Sequence, residues 1–261
     1  MAASADDIAL ISSGSKCIKI FHIKKKTVSM VTHECKRIGS PFDGVYSKDV
    51  EQVTGLYFTD TDENKRGVKI VYRKKAKLKL TDFTKRVENP RGISANDQHI
   101  FVCDQKRQSI LVFKKDGEMI LSVSKRNSRF DMPLYVFADG NEHIIITDSI
   151  QNSVQELSGI DDGCKVIRQW KHSDFSSNER MIPGKCCVNK DTFIPDRKAR
   201  EIWNCSTKLG IPFHGSPVAV AMINHSELAV ATVNGEIFLV KLDDCPTSST
   251  QLDDADIYNI Y

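Results

Sequence analysis

No apolar run in this chain of 261 residues approaches the roughly 20 needed to cross a bilayer; the best, residues 217–223, is seven long. Long stretches with a 3.6-residue apolar period are also missing, so helices are expected to be scarce. Eight cysteines, at 17, 35, 103, 164, 186, 187, 205 and 245, include no Cys-x-x-Cys pair. That removes the usual ground for a structural zinc site or a thioredoxin-like motif. Residues 1–7 are acidic and show no basic segment followed by an apolar one, so a secretory leader is not expected. The expected setting is cytoplasmic, with no membrane contact and with free thiols packed as small hydrophobes. Glycine (14) and proline (8) are too few for collagen or low-complexity sequence.

What is present is ordinary in amount and uneven in placement. Apolar residues make up 40% and charged residues 27%, as in a globular protein, and the formal net charge is +3. Residues 1–130 hold 26 Lys and Arg against 15 Asp and Glu, whereas residues 131–261 hold 11 against 19. A basic half and an acidic half give a dipolar surface, which bears on partners rather than on fold.

A repeat carries the fold. One unit reads Asn89-Pro90-Arg91-Gly92-Ile93, then Ile100-Phe101-Val102-Cys103-Asp104, then Ser109-Ile110-Leu111-Val112-Phe113, closed by Lys114-Lys115-Asp116-Gly117. It predicts a short strand after proline, an apolar strand ending in Asp, a third strand and an Asp-Gly turn. The strand-ending position recurs at 12, 60, 104, 148, 196 and 232, a period near 44. Six such units predict an all-β fold: a six-bladed β-propeller of four-stranded antiparallel blades. The blades fall near 8–35, 41–82, 90–124, 133–170, 183–210 and 217–242, in one domain over 1–261 with a tail at 243–261. Blade one starts at its second strand, so an innermost strand is missing there. The β-prone Asp256-Ile257-Tyr258-Asn259-Ile260-Tyr261 is expected either to pair beside blade one or to complete blade six as its outer strand.

The Pro-x-Gly-Ile, Ile-x-Val-x-Asp and Ile-x-Val-Phe residues of the 90–117 unit resemble NHL repeats, the blades at the C-terminus of tripartite-motif (TRIM-NHL) proteins. The resemblance is good over about 50–160 and looser over 8–242. It implies a propeller, substrate selection for ubiquitination with catalysis supplied by domains absent here, and for some members RNA binding on a loop face.

In an up-and-down blade, turns joining second and third strands share a face with the connections between blades. On that face this reading gathers a basic rim from Lys65, Arg66, Lys85, Arg86, Arg91, Lys106, Arg107, Lys125, Arg126 and Arg129. Lys36, Arg37, Arg180, Lys185, Arg197, Lys198 and Arg200 extend it. Such a rim fits an acidic protein partner or the phosphates of RNA. Far-face turns are basic too (Lys24-Lys25-Lys26, Arg73-Lys74-Lys75, Lys114-Lys115), and no aromatic is evident in the basic loops to stack on bases. The primary expectation is therefore a non-catalytic scaffold that docks a protein, with RNA binding as the alternative. The repeated Asp60, Asp104, Asp148 and Asp196 read as turn residues accepting backbone N–H bonds, not as metal ligands.

A six-bladed lactonase-like hydrolase is a second alternative, and would need Glu, Asn and Asp converging on calcium at the channel mouth. The innermost strands read Gly92-Ile93-Ser94-Ala95, Leu134-Tyr135-Val136-Phe137, Lys185-Cys186-Cys187-Val188 and Val218-Ala219-Val220-Ala221, small or apolar groups. The seven histidines show no His-x-x-x-His spacing, and neither a Gly-x-Ser-x-Gly elbow nor a phosphate-binding glycine loop occurs. No enzyme activity, no metal, no cofactor and no small-molecule substrate is expected.

Overall fold

The computed structural model describes the chain apart from residues 5–6, 13–14, 31–37, 50, 52, 75–76, 85, 125–129, 140–142, 176–180, 190, 208, 214, 225, 243–255 and 260–261. Six four-stranded antiparallel sheets follow one another along the sequence. Blade one holds β1 (Ala2–Ala3), β2 (Asp7–Ser12), β3 (Cys17–His22) and β4 (Thr27–Met30). Blade two holds β5 (Pro41–Lys48), β6 (Thr54–Asp60), β7 (Gly67–Lys74) and β8 (Lys77–Thr84). In blade three are β9 (Pro90–Ala95), β10 (His99–Asp104), β11 (Ser109–Lys114) and β12 (Met119–Ser124). Blade four has β13 (Pro133–Asp139), β14 (His143–Asp148), β15 (Ser153–Ser158) and β16 (Val166–Lys171). Blade five has β17 (Cys187–Asn189), β18 (Asp191–Asp196), β19 (Glu201–Asn204) and β20 (Leu209–Pro212). Blade six has β21 (Pro217–Met222), β22 (Glu227–Thr232), β23 (Glu236–Lys241) and β24 (Asp256–Asn259). The one helical turn among the described residues is a 3₁₀ turn at His172–Asp174.

Alternation on the middle strands explains why these segments read as nearly continuous apolar runs. Successive side chains leave a strand on opposite faces, and each blade is sandwiched between two others. In β10, Ile100 and Val102 pack toward blade two with Tyr57 and Val68, while Phe101 and Cys103 pack toward blade four with Val136 and Ile146. Outer strands lose one covered face, so β12 alternates half-buried and exposed residues over Met119 to Leu121. The adjacent cysteines 186 and 187 follow the same rule. Cys186 enters the core shared with blade four and Cys187 the core shared with blade six.

The Asp-Gly turn behaves as its sequence implies: Gly117 takes φ +91° and donates to the Lys114 carbonyl at 3.0 Å. Inner strands approach closely where glycine allows it. A Cβ on Gly92 would lie 2.5 Å from Tyr135 Cα, and one on Gly184 2.2 Å from the Val218 carbonyl oxygen. At the seam one expectation needs adjusting, and one of two expected alternatives is realised. Blade one does have an innermost strand, the two-residue β1, paired through Ala2 with Ala9; an Ala-Ala pair offers no periodicity to read. The tail completes blade six, with Asn259 opposite Glu236 and Asp256 opposite Leu239. Ile8 and Phe21 then pack with Ala219, Ala229 and Ile237 to join blade one to blade six.

Candidate functional site at the channel mouth

The loop face is set by the repeated aspartates. Asp104 accepts from the backbone N–H of Arg107 in its own turn (3.2 Å) and from Glu88 (2.7 Å) and Asn89 (3.1 Å) in the segment entering the blade. Asp148 does the same with Ile150 and Gln151 on one side and Asp131 and Met132 on the other, all within 2.6–2.9 Å. Asp196 joins Lys198 and Ala199 to Ile182, and Asp60 joins Asp62 to Gly39 and Ser40. These carboxylates are therefore clasps, and they place inter-blade segments and second-to-third-strand turns on one face. Burial pushes the Asp60 carboxyl up, but the Lys69 ammonium and three backbone N–H donors outweigh it and hold it below its ordinary value.

The described members of the expected basic rim lie on this face, and some are neutralised. Glu88 binds Lys106 at 2.9 Å and Arg107 at 3.2 Å, and these cations hold its carboxyl below the usual range. Lys65 donates to the Ile38 carbonyl at 3.2 Å, Arg66 is half-buried, and Arg86 is exposed. Lys85, Lys125, Arg126 and Arg129, with Lys36, Arg37 and Arg180, lie outside the described residues. Lys185 is not on the rim at all. It is buried at the axis, where its Nζ donates to Asp43 Oδ1 at 2.8 Å and to the Gly44 carbonyl at 2.7 Å. The other Asp43 oxygen accepts from the Ile93 N–H at 3.0 Å, and the Met1 amino group stands 3.5 Å from Oδ1. The reading of an axis lined only by small and apolar groups is thus corrected. Asp43 sits in β5, one residue beyond the proline that starts the strand and Phe42, where a register shift turns it inward.

Beside this axial pair opens a cavity of about 750 Å³, lined by the strand ends and turns of blades one and six and by Phe42, Tyr135 and Arg197. Phe42 and Tyr135 stack with centroids 5.7 Å apart and planes at 23°. The Arg91 guanidinium stands 5.1 Å from the Phe42 ring centre, a cation–π distance. Its Nε is fixed by Gln105 at 2.8 Å. Burial pushes the Tyr135 phenol up, the Asp43 charge adds to this, and Arg197 and Arg91 oppose it. Sequence reading missed this aromatic pair because Phe42 and Tyr135 belong to inner strands, not to the basic loops. An aromatic within two residues of the strand-opening proline, in Pro41-Phe42 and Pro133-Leu134-Tyr135, was the available signal.

At the opposite strand ends, blade one carries a hydrogen-bonded relay. His22 Nδ1 lies 2.6 Å from Asp7 Oδ1 and Nε2 lies 3.1 Å from Ser29 Oγ, tying β2, β3 and β4 together. Among the described residues no three His, Cys, Asp or Glu side chains converge as a metal site would require.

No family model and no curated protein matches the sequence. Solved structures do. A chain in the crystal structure of a nidogen/laminin complex superposes with TM-score 0.67 at 15% identity, covering 97% of this chain and 96% of its own. A streptogramin B lyase gives 0.63 at 12%, covering 100% and 82%. Selenomethionine-substituted virginiamycin B lyase from Staphylococcus aureus gives 0.57 at 12%, covering 86% and 76%. At such identities the likeness speaks to fold alone, and the fold it defines is the six-bladed β-propeller.

Proposed function

We propose that this propeller is a non-catalytic docking module that binds a protein partner on the face of second-to-third-strand turns. One observation carries the reading. Ile150, Ile182 and Val233, on that face in blades four, five and six, are 55%, 41% and 49% exposed. Single exposed apolar residues are commonplace. Three on one face of successive blades, beside a cavity that Val233 also lines, form an apolar arc facing the cationic side of the same surface. The presence of a propeller in a nidogen/laminin complex is in keeping with such use of the fold. Lys185 at the axis supports the non-catalytic part, because an ammonium on the central carboxylate opposes binding of a cation there. Neutralisation of Lys106 and Arg107 by Glu88 weighs for protein over RNA. The NHL-like residues 90–117 extend the proposal to substrate selection for a ubiquitin ligase whose catalytic domains lie elsewhere.

The test compares quantitative affinity purification by the wild type, by Ile150→Glu/Ile182→Glu/Val233→Glu, and by the far-face control Val53→Glu. Partners retained by wild type and control but lost by the triple variant, insensitive to ribonuclease, are the expected result. Equal recovery by the triple variant would sink the proposal, and ribonuclease-sensitive recovery would replace protein by RNA.

A further inference from the structure

We propose that the cavity at the channel mouth receives an acidic peptide segment of the partner, with an aliphatic or aromatic side chain as its anchor. This rests on the docking reading above and specifies the ligand chemistry. The cavity falls within the range of roughly 300–1,000 Å³ typical of ligand pockets, large enough for a few side chains but not a folded domain. The wall toward blades one and six is aliphatic: Leu10, Ile11, Val218, Ala219, Ala231 and Val233. The stacked Phe42 and Tyr135 line the same cavity and add rigid aromatic surface against which an inserted apolar side chain packs at little entropic cost.

Charge then selects among apolar ligands. Among the residues lining the cavity, the charged ones are Lys19 and Arg197, both positive, and Arg197 is exposed at the opening. Of the carboxylates close by, Asp43 is engaged by Lys185 and the Ile93 N–H, and Glu236 accepts from the Thr232 hydroxyl at 3.1 Å. Arg91 stands 5.1 Å from the Phe42 ring centre, with its Nε held by Gln105. A segment bearing Asp or Glu beside Leu, Ile or Phe meets the Arg197 cation at the opening and apolar walls within, whereas a basic segment would bring like charge to Arg197. Arg197 also suits a carboxylate geometrically, since a guanidinium can engage both oxygens at once. Arg197 lies at an exposed turn, where its backbone N–H is bonded to the Ile182 carbonyl at 3.2 Å.

The probe is a library of short random peptides displayed on phage and selected on the immobilised wild-type chain, then counter-screened on Arg197→Glu. Selected peptides should combine acidic residues with a large apolar one. Their synthetic versions should bind Arg197→Glu about tenfold or more weakly and Arg197→Ala by a lesser loss, with weaker binding at high salt. Val233→Asp should reduce binding by removing the apolar wall, and thermal melting should be unchanged for the Arg197 variants because that side chain is exposed. Enrichment of basic or uncharged peptides, no enrichment, or equal binding to Arg197→Glu would each overturn the assignment. So would an oligouridine that binds wild type in an Arg197-dependent way and displaces the peptides, which would make the mouth a phosphate site. These failures are separable from that of the docking reading, which is decided by the apolar-arc variants with a whole partner.

Discussion

Each of the aspartates 60, 104, 148 and 196 closes a turn and pins the segment that enters its blade, so one side chain fixes two pieces of loop. Asp60 has the most demanding environment, because it forms a buried ion pair with Lys69. Replacing it by Asn removes one charge of that buried pair, a change that typically costs about 3–5 kcal/mol. The pH dependence has a definite sign. The folded carboxyl is held below its unfolded value of 3.8, so its contribution is present above that pH and is lost as pH falls through the folded value. Urea unfolding of Asp60→Asn and wild type should thus differ fully at neutral pH and converge under acid below about pH 4. A constant gap down to pH 2 would contradict this account. The role of these residues in their own turns was legible, because it follows from a local offset. Their grip on the incoming segment was not, because it spans 14 to 21 residues.

Among elements, the strands were readable wherever both faces are buried. Middle strands such as β10, β14 and β22 announce themselves as apolar runs ending in Asp or Thr. The weakest signals came from strands that contribute few side chains to a core: the two-residue β1, and β16, where most residues are exposed. The candidate site was less legible than the fold. Its rim cations could be assigned to a face from turn order alone, but their neutralisation by Glu88 and the inward turn of Asp43 are long-range facts of packing. The final strand β24 gives a direct test of the seam. Removing residues 256–261 would bare the β23 edge from Glu236 to Leu239 and strip its ladder hydrogen bonds. Each kcal/mol lost lowers the melting temperature of a domain this size by about 2–4 °C. A truncated chain should melt several degrees lower, by circular dichroism, and expose an edge that promotes aggregation. An unchanged melting curve would mean that β24 adds nothing to blade six.

For the whole molecule, the Asp43–Lys185 pair acts as an axial brace. It links blade two to the inner strand of blade five and, through Ile93, to blade three. Desolvating two charges is costly, so the pair is not expected to be a large net stabiliser, but breaking it is severe. Lys185→Met should cost about 3–5 kcal/mol in chemical denaturation, by leaving the buried Asp43 carboxylate with only the more distant Met1 amino group as a cationic neighbour. Adding Asp43→Asn, which keeps an acceptor for the Ile93 N–H and removes the charge, should recover most of that loss. If the double variant is as unstable as the single, the loss stems from packing of the Lys185 side chain rather than from charge.

Because each sheet is built from four consecutive strands, no strand is shared across the seam between blades one and six. Contacts within a blade join near neighbours in sequence, whereas the brace joins residues 142 apart. Early and late events in folding are thereby separated. Blades can form one after another as the chain leaves the ribosome, since each closes its own ladder from local pairings. The ring shuts only when the last blade meets the first, where Ile8 and Phe21 pack on Ala219, Ala229 and Ile237, and that junction is where the molecule would first come open under force.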